Sequence, residues 1–239
     1  MFENVIIPGG KLELREIPLD DTKKANTYIS QIYDIEENDR KLSIAMPVKE
    51  GRIIPLSVGM RFDAYFYTQK GLFQCEVVVI GRYKENNLYT LEVEIKTPLR
   101  KIQRRQYFRY PITLTIRYAV LDEAAITFVE TIKSLPDDYM KDSLIESATL
   151  DISGGGVRFS GEKLLKNDKI YLEIDYDFND SIQTFKAIAS VVDSEAVSGR
   201  DDIYHNRAGY EVVNSKEREQ LIKFIFAKER ASRRYERKG

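Results

Sequence analysis

Apolar and polar residues alternate with a period of two along almost the whole chain, and this confines the fold to half-buried β-strands. In the first hundred residues the pattern predicts strands at 11–17, 28–35, 42–46, 62–68, 73–80 and 88–95. Turn chemistry separates them: Pro8-Gly9-Gly10, Glu36-Glu37-Asn38-Asp39, Lys70-Gly71 and Glu85-Asn86-Asn87. Six short strands with no helix among them fit a small β-barrel. The alternation resumes at 111–119, where Ile112, Leu114, Ile116 and Tyr118 share one face. It continues at 148–152, 156–160, 169–178, 183–194 and 208–213. The expected fold is therefore dominated by β-structure, with two small antiparallel barrels in tandem.

Two stretches carry helical spacing instead. One covers 124–132, with Ala124, Ala125, Phe128, Val129 and Ile132 on a stripe and Pro136 as its stop. The other follows Asn214, an N-cap with Glu217 three residues on, and carries a stripe of Leu221, Ile222, Ile225 and Phe226. Its tail from residue 223 holds seven basic and two acidic side chains, which suits either the helix dipole or a binding role. Between the barrels, residues 96–109 hold six basic side chains and no acidic one, interrupted by Pro98. The domain reading is 1–97 for the first barrel, 98–109 for a basic linker, and 110–239 for the second barrel with its C-terminal helix.

Composition narrows the function classes. A net charge of −1 over 239 residues provides no global field for nucleic acid or anionic lipid, so anion binding must come from a local cluster. One cysteine, Cys75, forms no intramolecular disulfide, and one histidine, His205, falls in a polar stretch expected to be a loop. Neither is expected to be catalytic or a metal ligand. The N-terminus lacks the charge and apolar run of a signal peptide, and the longest apolar run, 77–80, is too short to cross a bilayer. These features predict a cytoplasmic protein without membrane insertion.

Two short motifs carry chemistry. Gln103-Arg104-Arg105-Gln106-Tyr107-Phe108-Arg109 contains Arg-x-x-x-Arg at Arg105 and Arg109, a spacing that also occurs at Arg100/Arg104, Arg230/Arg234 and Arg233/Arg237. By itself it reads equally as a solvated basic linker. Asp151-Ile152-Ser153-Gly154-Gly155-Gly156 contains Asp-x-Ser-x-x-Gly. Its local alternative is a glycine-rich hairpin in which Asp151 and Ser153 bond nearby backbone. A Walker-type phosphate loop requires a following helix, whereas residues 157–160 read as strand.

The order of these parts resembles the PilZ domain: an arginine motif before the first strand of a barrel, an Asp-Ser-Gly motif further on, and a helix after the last strand. Residues 1–97, including 42–47 and 51–56, are similar to the N-terminal barrel of flagellar-brake (YcgR-like) proteins. The resemblance implies a non-enzymatic receptor for cyclic di-GMP, held by Arg105, Arg109, Asp151, Ser153, Gly154, Gly155 and Gly156. In that family an arginine directly before the motif accompanies an intercalated ligand pair. Arg104 stands there, so two ligands per chain are expected. The implied partner is a flagellar motor protein, stator or rotor, with polysaccharide output as the alternative. One departure from the family is the long segment 121–147 between the first two strands of the second barrel.

The chemistry agrees with this assignment. Guanidinium groups fork onto phosphate or guanine O6/N7 and stack on bases, and a carboxylate accepts from guanine N1–H and N2–H₂. Three other functions use similar parts: an RNA-binding barrel, a flavin-binding split barrel, and a PilZ-like scaffold that binds only protein.

Overall fold

A computed structural model of the protein describes residues 5–17, 25–36, 40–49, 51–85, 88–132 and 143–236. They fall into two compact units, Met1–Arg104 and Arg105–Gly239. The turns read at Glu37–Asp39 and Asn86–Asn87, and Pro136, lie outside the described residues.

The first unit contains β1 (Lys11–Glu16), β2 (Thr27–Glu36), β3 (Lys41–Ala45), β4 (Val48–Lys49), β5 (Arg52–Ile53), β6 (Arg61–Thr68), β7 (Gly71–Glu85), β8 (Leu88–Ile95) and β9 (Arg100–Ile102). Six antiparallel strands run in the order β6-β1-β2-β3-β8-β7, and β6–β7 pairing closes the barrel. Closure leaves few free edges and collects alternate side chains inside. Leu12, Leu14, Ile44, Phe62, Phe66 and Val93 are fully buried there. Cys75 belongs to this interior. Its burial, with Asp63 and Glu76 nearby, pushes the thiol up to about 12. The basic stretch read as linker is partly absorbed, because β9 pairs with β7 and places Lys101 opposite Phe73.

The second unit contains β10 (Arg109–Pro111), β11 (Thr115–Val120), α1 (Glu123–Ile132), β12 (Ile145–Ser153), β13 (Gly156–Gly161), β14 (Lys169–Phe178), β15 (Ser181–Val197), β16 (Arg200–Val213) and α2 (Ser215–Glu236). The order β12-β11-β14-β15-β16-β13 closes through β12–β13 pairing, and β10 adds to β12. The single strand expected at 111–119 is two strands. The hydroxyl of Thr149, itself fully buried, fills the gap by donating to Ile112 O (2.7 Å) and accepting from Leu114 N–H (2.9 Å).

His205 lies in β16, opposite Ser160 and Glu195, and not in a loop. The β15–β16 hairpin pairs along nearly its whole length, so backbone bonding holds even polar residues in strand. Gly199, at φ +79°, closes that hairpin in the left-handed region that glycine tolerates.

Both helices start as capped segments. Asn214 Oδ1 accepts from Lys216 N–H (2.9 Å) and Glu217 N–H (3.4 Å), as the sequence predicts. Glu217 does not complete a capping box; its carboxylate accepts from Lys186 N–H (3.3 Å). Asp122 caps α1 by accepting from Ala125 N–H at 2.7 Å. The buried stripe of α2 is Leu221, Phe224 and Ile225, while Phe226 is exposed. In α1 only Ala125 and Val129 are buried, over Leu121, Tyr171 and Ile188 on the outer side of the barrel wall.

Candidate functional site

The arginine motif is placed by its aromatic neighbours. Strand pairing sets Arg109 opposite Ser153, at the start of β10. Just before it, the Tyr107 ring lies over the glycine turn, so closely that a Cβ added at Gly154 or Gly155 would stand 2.5 or 2.7 Å from the ring. Phe108 stacks on Phe226 of α2, with centroids 6.3 Å apart and planes 16° apart. Tyr110 reaches α2 as well, its hydroxyl 2.6 Å from Ser232 Oγ. Residues 107–110 are thus held by aromatic contact area and strand bonds.

Arg105 and Arg109 lie on either side of Tyr107 and Phe108 in the chain. Neither makes a hydrogen bond or ion pair with a described residue, and both are exposed. Burial and the charges of Arg105, Arg207 and Arg158 hold the Arg109 guanidinium below its ordinary pKa, against the opposing pull of Asp151. Like charges crowd here without full compensation. Asp151 Oδ2 lies 2.9 Å from Arg158 Nε, an ion pair in which the Nε–H is not aimed along the contact. Arg207 Nη2 donates to Asp193 (2.5 Å) and Glu195 (2.6 Å).

The second motif builds its own turn. Ser153, 6% exposed, accepts from Gly155 N–H (3.2 Å) and donates to Gly156 O (3.0 Å). Gly156 lets β13 approach β16, since a Cβ there would meet Ala208 O at 2.4 Å. At Gly154 and Gly155 the room that glycine leaves is taken by Tyr107 and, at Gly154, by Ile222 of α2 as well.

Arg104 belongs to the first unit and is held there by side chains of that unit. Its guanidinium donates to the Tyr67 hydroxyl, pairs with Glu13 (3.4 Å), and sits over the rings of Tyr65 (5.7 Å) and Tyr67 (5.4 Å). Partial burial works against its charge, but the bond to Glu13 and the charge of Glu13 outweigh it and raise the pKa.

Within the second unit the structure therefore brings Arg105, Arg109, Asp151, Ser153 and Gly154–Gly156 together and adds Arg158 and Arg207, while Arg104 belongs to the first unit. Arg158 was legible in principle: a two-residue turn at Gly154–Gly155 makes Ser153 face Gly156 and Asp151 face Arg158. Nothing local points to Arg207. Among the described residues no cluster of side chains suits a metal ion, and no helix is long and apolar enough to span a membrane.

Comparison with known proteins gives a consistent picture. Residues 8–95 match the model of the flagellar protein YcgR N-terminal region, and residues 103–227 match that of the PilZ domain. A search of curated proteins gave no match. Among solved structures, the Bacillus subtilis inhibitor of motility, MotI/DgrA, is similar at a TM-score of 0.72 and 18% identity, over 95% of this chain and 100% of that one. Escherichia coli YcgR, solved in complex with c-di-GMP, is similar at 0.51 and 16%, over 96% and 88%. These likenesses extend the shared fold through both barrels, and with the domain match over more than half of its length the chain belongs to the PilZ domain family.

Proposed function

We propose that this protein is a receptor for cyclic di-GMP that binds without turnover and regulates flagellar motility. The observation that carries the reading is the pair Arg105 and Arg109, carried on a backbone segment anchored by aromatic contacts and, at Arg109, by strand pairing, bonded to no described residue, with Asp151 in the field of Arg109. Unsatisfied guanidinium groups suit phosphate or the O6/N7 edge of guanine. Asp151 supplies the acceptor that distinguishes guanine from adenine, and Ser153 keeps the turn in shape. Membership of the PilZ family and the fold shared with YcgR, itself solved with c-di-GMP, support the ligand.

The proposal includes two ligand molecules per chain, with Arg104 as the third cation, which requires Arg104 to leave Glu13 and Tyr67. Output passes through a change in the arrangement of the two barrels to a flagellar motor protein in the cytoplasm. The fold shared with the inhibitor of motility favours this over polysaccharide control.

Calorimetric titration with cyclic di-GMP, against cyclic di-AMP and GTP, tests the reading. Micromolar or tighter binding of cyclic di-GMP alone supports it; no heat of binding with correctly folded protein overturns it. Small-angle scattering with and without ligand tests the output step, which fails if the distance distribution is unchanged at saturation.

A further inference from the structure

Four neighbouring strands carry a charged row that extends well past the two motifs. Asp151 on β12 pairs in register with Arg158 on β13, Arg158 with Arg207 on β16, and Arg207 with Asp193 on β15. Their chain neighbours Ile152, Val157 and Ala208 are buried core, so this row faces outward. Strand spacing puts Asp151 and Arg207 within about 10 Å of each other across Arg158. Both carboxylates on Arg207 are bound by Nη2, so Nε and Nη1 have no described partner. Arg158 likewise meets Asp151 through Nε and leaves both Nη atoms without one. The electrostatic influence of both arginines on Arg109 places them in the same local field.

We propose that Arg158 and Arg207 form a strand-borne anion subsite that takes a phosphodiester group of the ligand, and that Asp193 and Glu195 compete with the ligand for Arg207. This rests on the receptor reading above. A guanidinium has five N–H donors, so Arg207 can hold its two carboxylates on one nitrogen and a phosphate on the Nε–Nη1 edge. The carboxylates orient Arg207 in the free protein, and their negative charge opposes an incoming phosphate. They therefore hold Arg207 in place without ligand while weakening its capture of phosphate.

The test is calorimetric titration of the full chain with cyclic di-GMP in the wild type, Arg109→Ala, Arg207→Ala, Arg207→Gln and the double variant Asp193→Asn/Glu195→Gln, with thermal melts as controls for folding. Arg207→Ala and Arg207→Gln should lower affinity about tenfold, within the range for one lost charged contact. The Asp193→Asn/Glu195→Gln pair should raise affinity about threefold, a gain that a purely structural role for Arg207 does not produce. If both Arg207 variants bind like the wild type while Arg109→Ala is impaired, the subsite is wrong and the receptor reading stands. If the carboxamide pair leaves affinity unchanged, the competition is wrong. If the wild type itself does not bind, the receptor reading fails and the subsite with it.

Discussion

Arg104 Nη1 lies 3.4 Å from Glu13 Oε1, an ion pair between residues 91 positions apart that docks the first arginine of the motif segment on the β1–β6 wall. The next residue, Arg105, has no described partner. Consecutive arginines are thus in opposite states: one satisfied, one available.

If ligand binding draws on Arg104, loosening its socket should favour binding. Glu13→Gln or Tyr67→Phe is expected to raise affinity for cyclic di-GMP about two- to fivefold, the scale of an ion pair open to solvent. Arg104→Ala should lower it and bring the endpoint from two ligands to one. Burial raises the Glu13 pKa, but the Tyr67 and Arg104 bonds outweigh it and depress it. The stabilisation from Glu13 is therefore present above its unfolded pKa and is lost as pH falls through the lower folded value. Titration calorimetry of the three variants checks the stoichiometry and the signs.

Arg109→Ala should separate binding from stability. Its guanidinium is crowded by like charges and bonded to no described residue. Its removal is expected to cost about 1–3 kcal/mol of ligand affinity, while the folding free energy changes by no more than about 0.5 kcal/mol. Urea denaturation beside titration measures both.

Gly155→Ala should impair binding without removing a charged or hydrogen-bonding side chain. The atoms nearest the added methyl all belong to the Tyr107 ring, with Cδ2 at 2.7 Å, so the ring, which lies between Arg105 and Arg109 in the chain, must shift. Overpacking of this kind costs roughly 1–3 kcal/mol. Tyr107→Ala should abolish the clash, so the double variant Gly155→Ala/Tyr107→Ala should be more stable than the sum of the singles. A double-mutant cycle from denaturation midpoints reads that coupling. Gly156→Ala has no such rescue, because its obstacle is the backbone oxygen of Ala208.

Cys75 should resist thiol reagents in the native protein. It is 3% exposed and its thiol is pushed up to about 12, first by burial and then by Asp63 and Glu76. Rapid labelling is expected only on unfolding, as the attacking species is the thiolate. Labelling kinetics across a urea gradient check this, and a native-state rate equal to that of free thiol would contradict it.

Period-two alternation is a property of each segment alone, and it was enough to determined two barrels from the sequence: the strands read at 88–95 and 169–178 coincide with β8 and β14. The same holds for the cap at Asn214, which acts within three residues, and for the motif spacings that mark Arg105, Arg109, Asp151, Ser153 and the glycines. What the tertiary structure decided depends on pairing between distant segments. The split of 111–119 requires Thr149 from another strand, and the strand state of His205 requires the whole β15–β16 ladder. Arg207 reaches the site through registers across β13 and β16, and Arg104 pairs with a carboxylate 91 residues away. Local sequence fixes which face of a strand a side chain takes; only closure of the barrel fixes which strands, and so which charges, become neighbours.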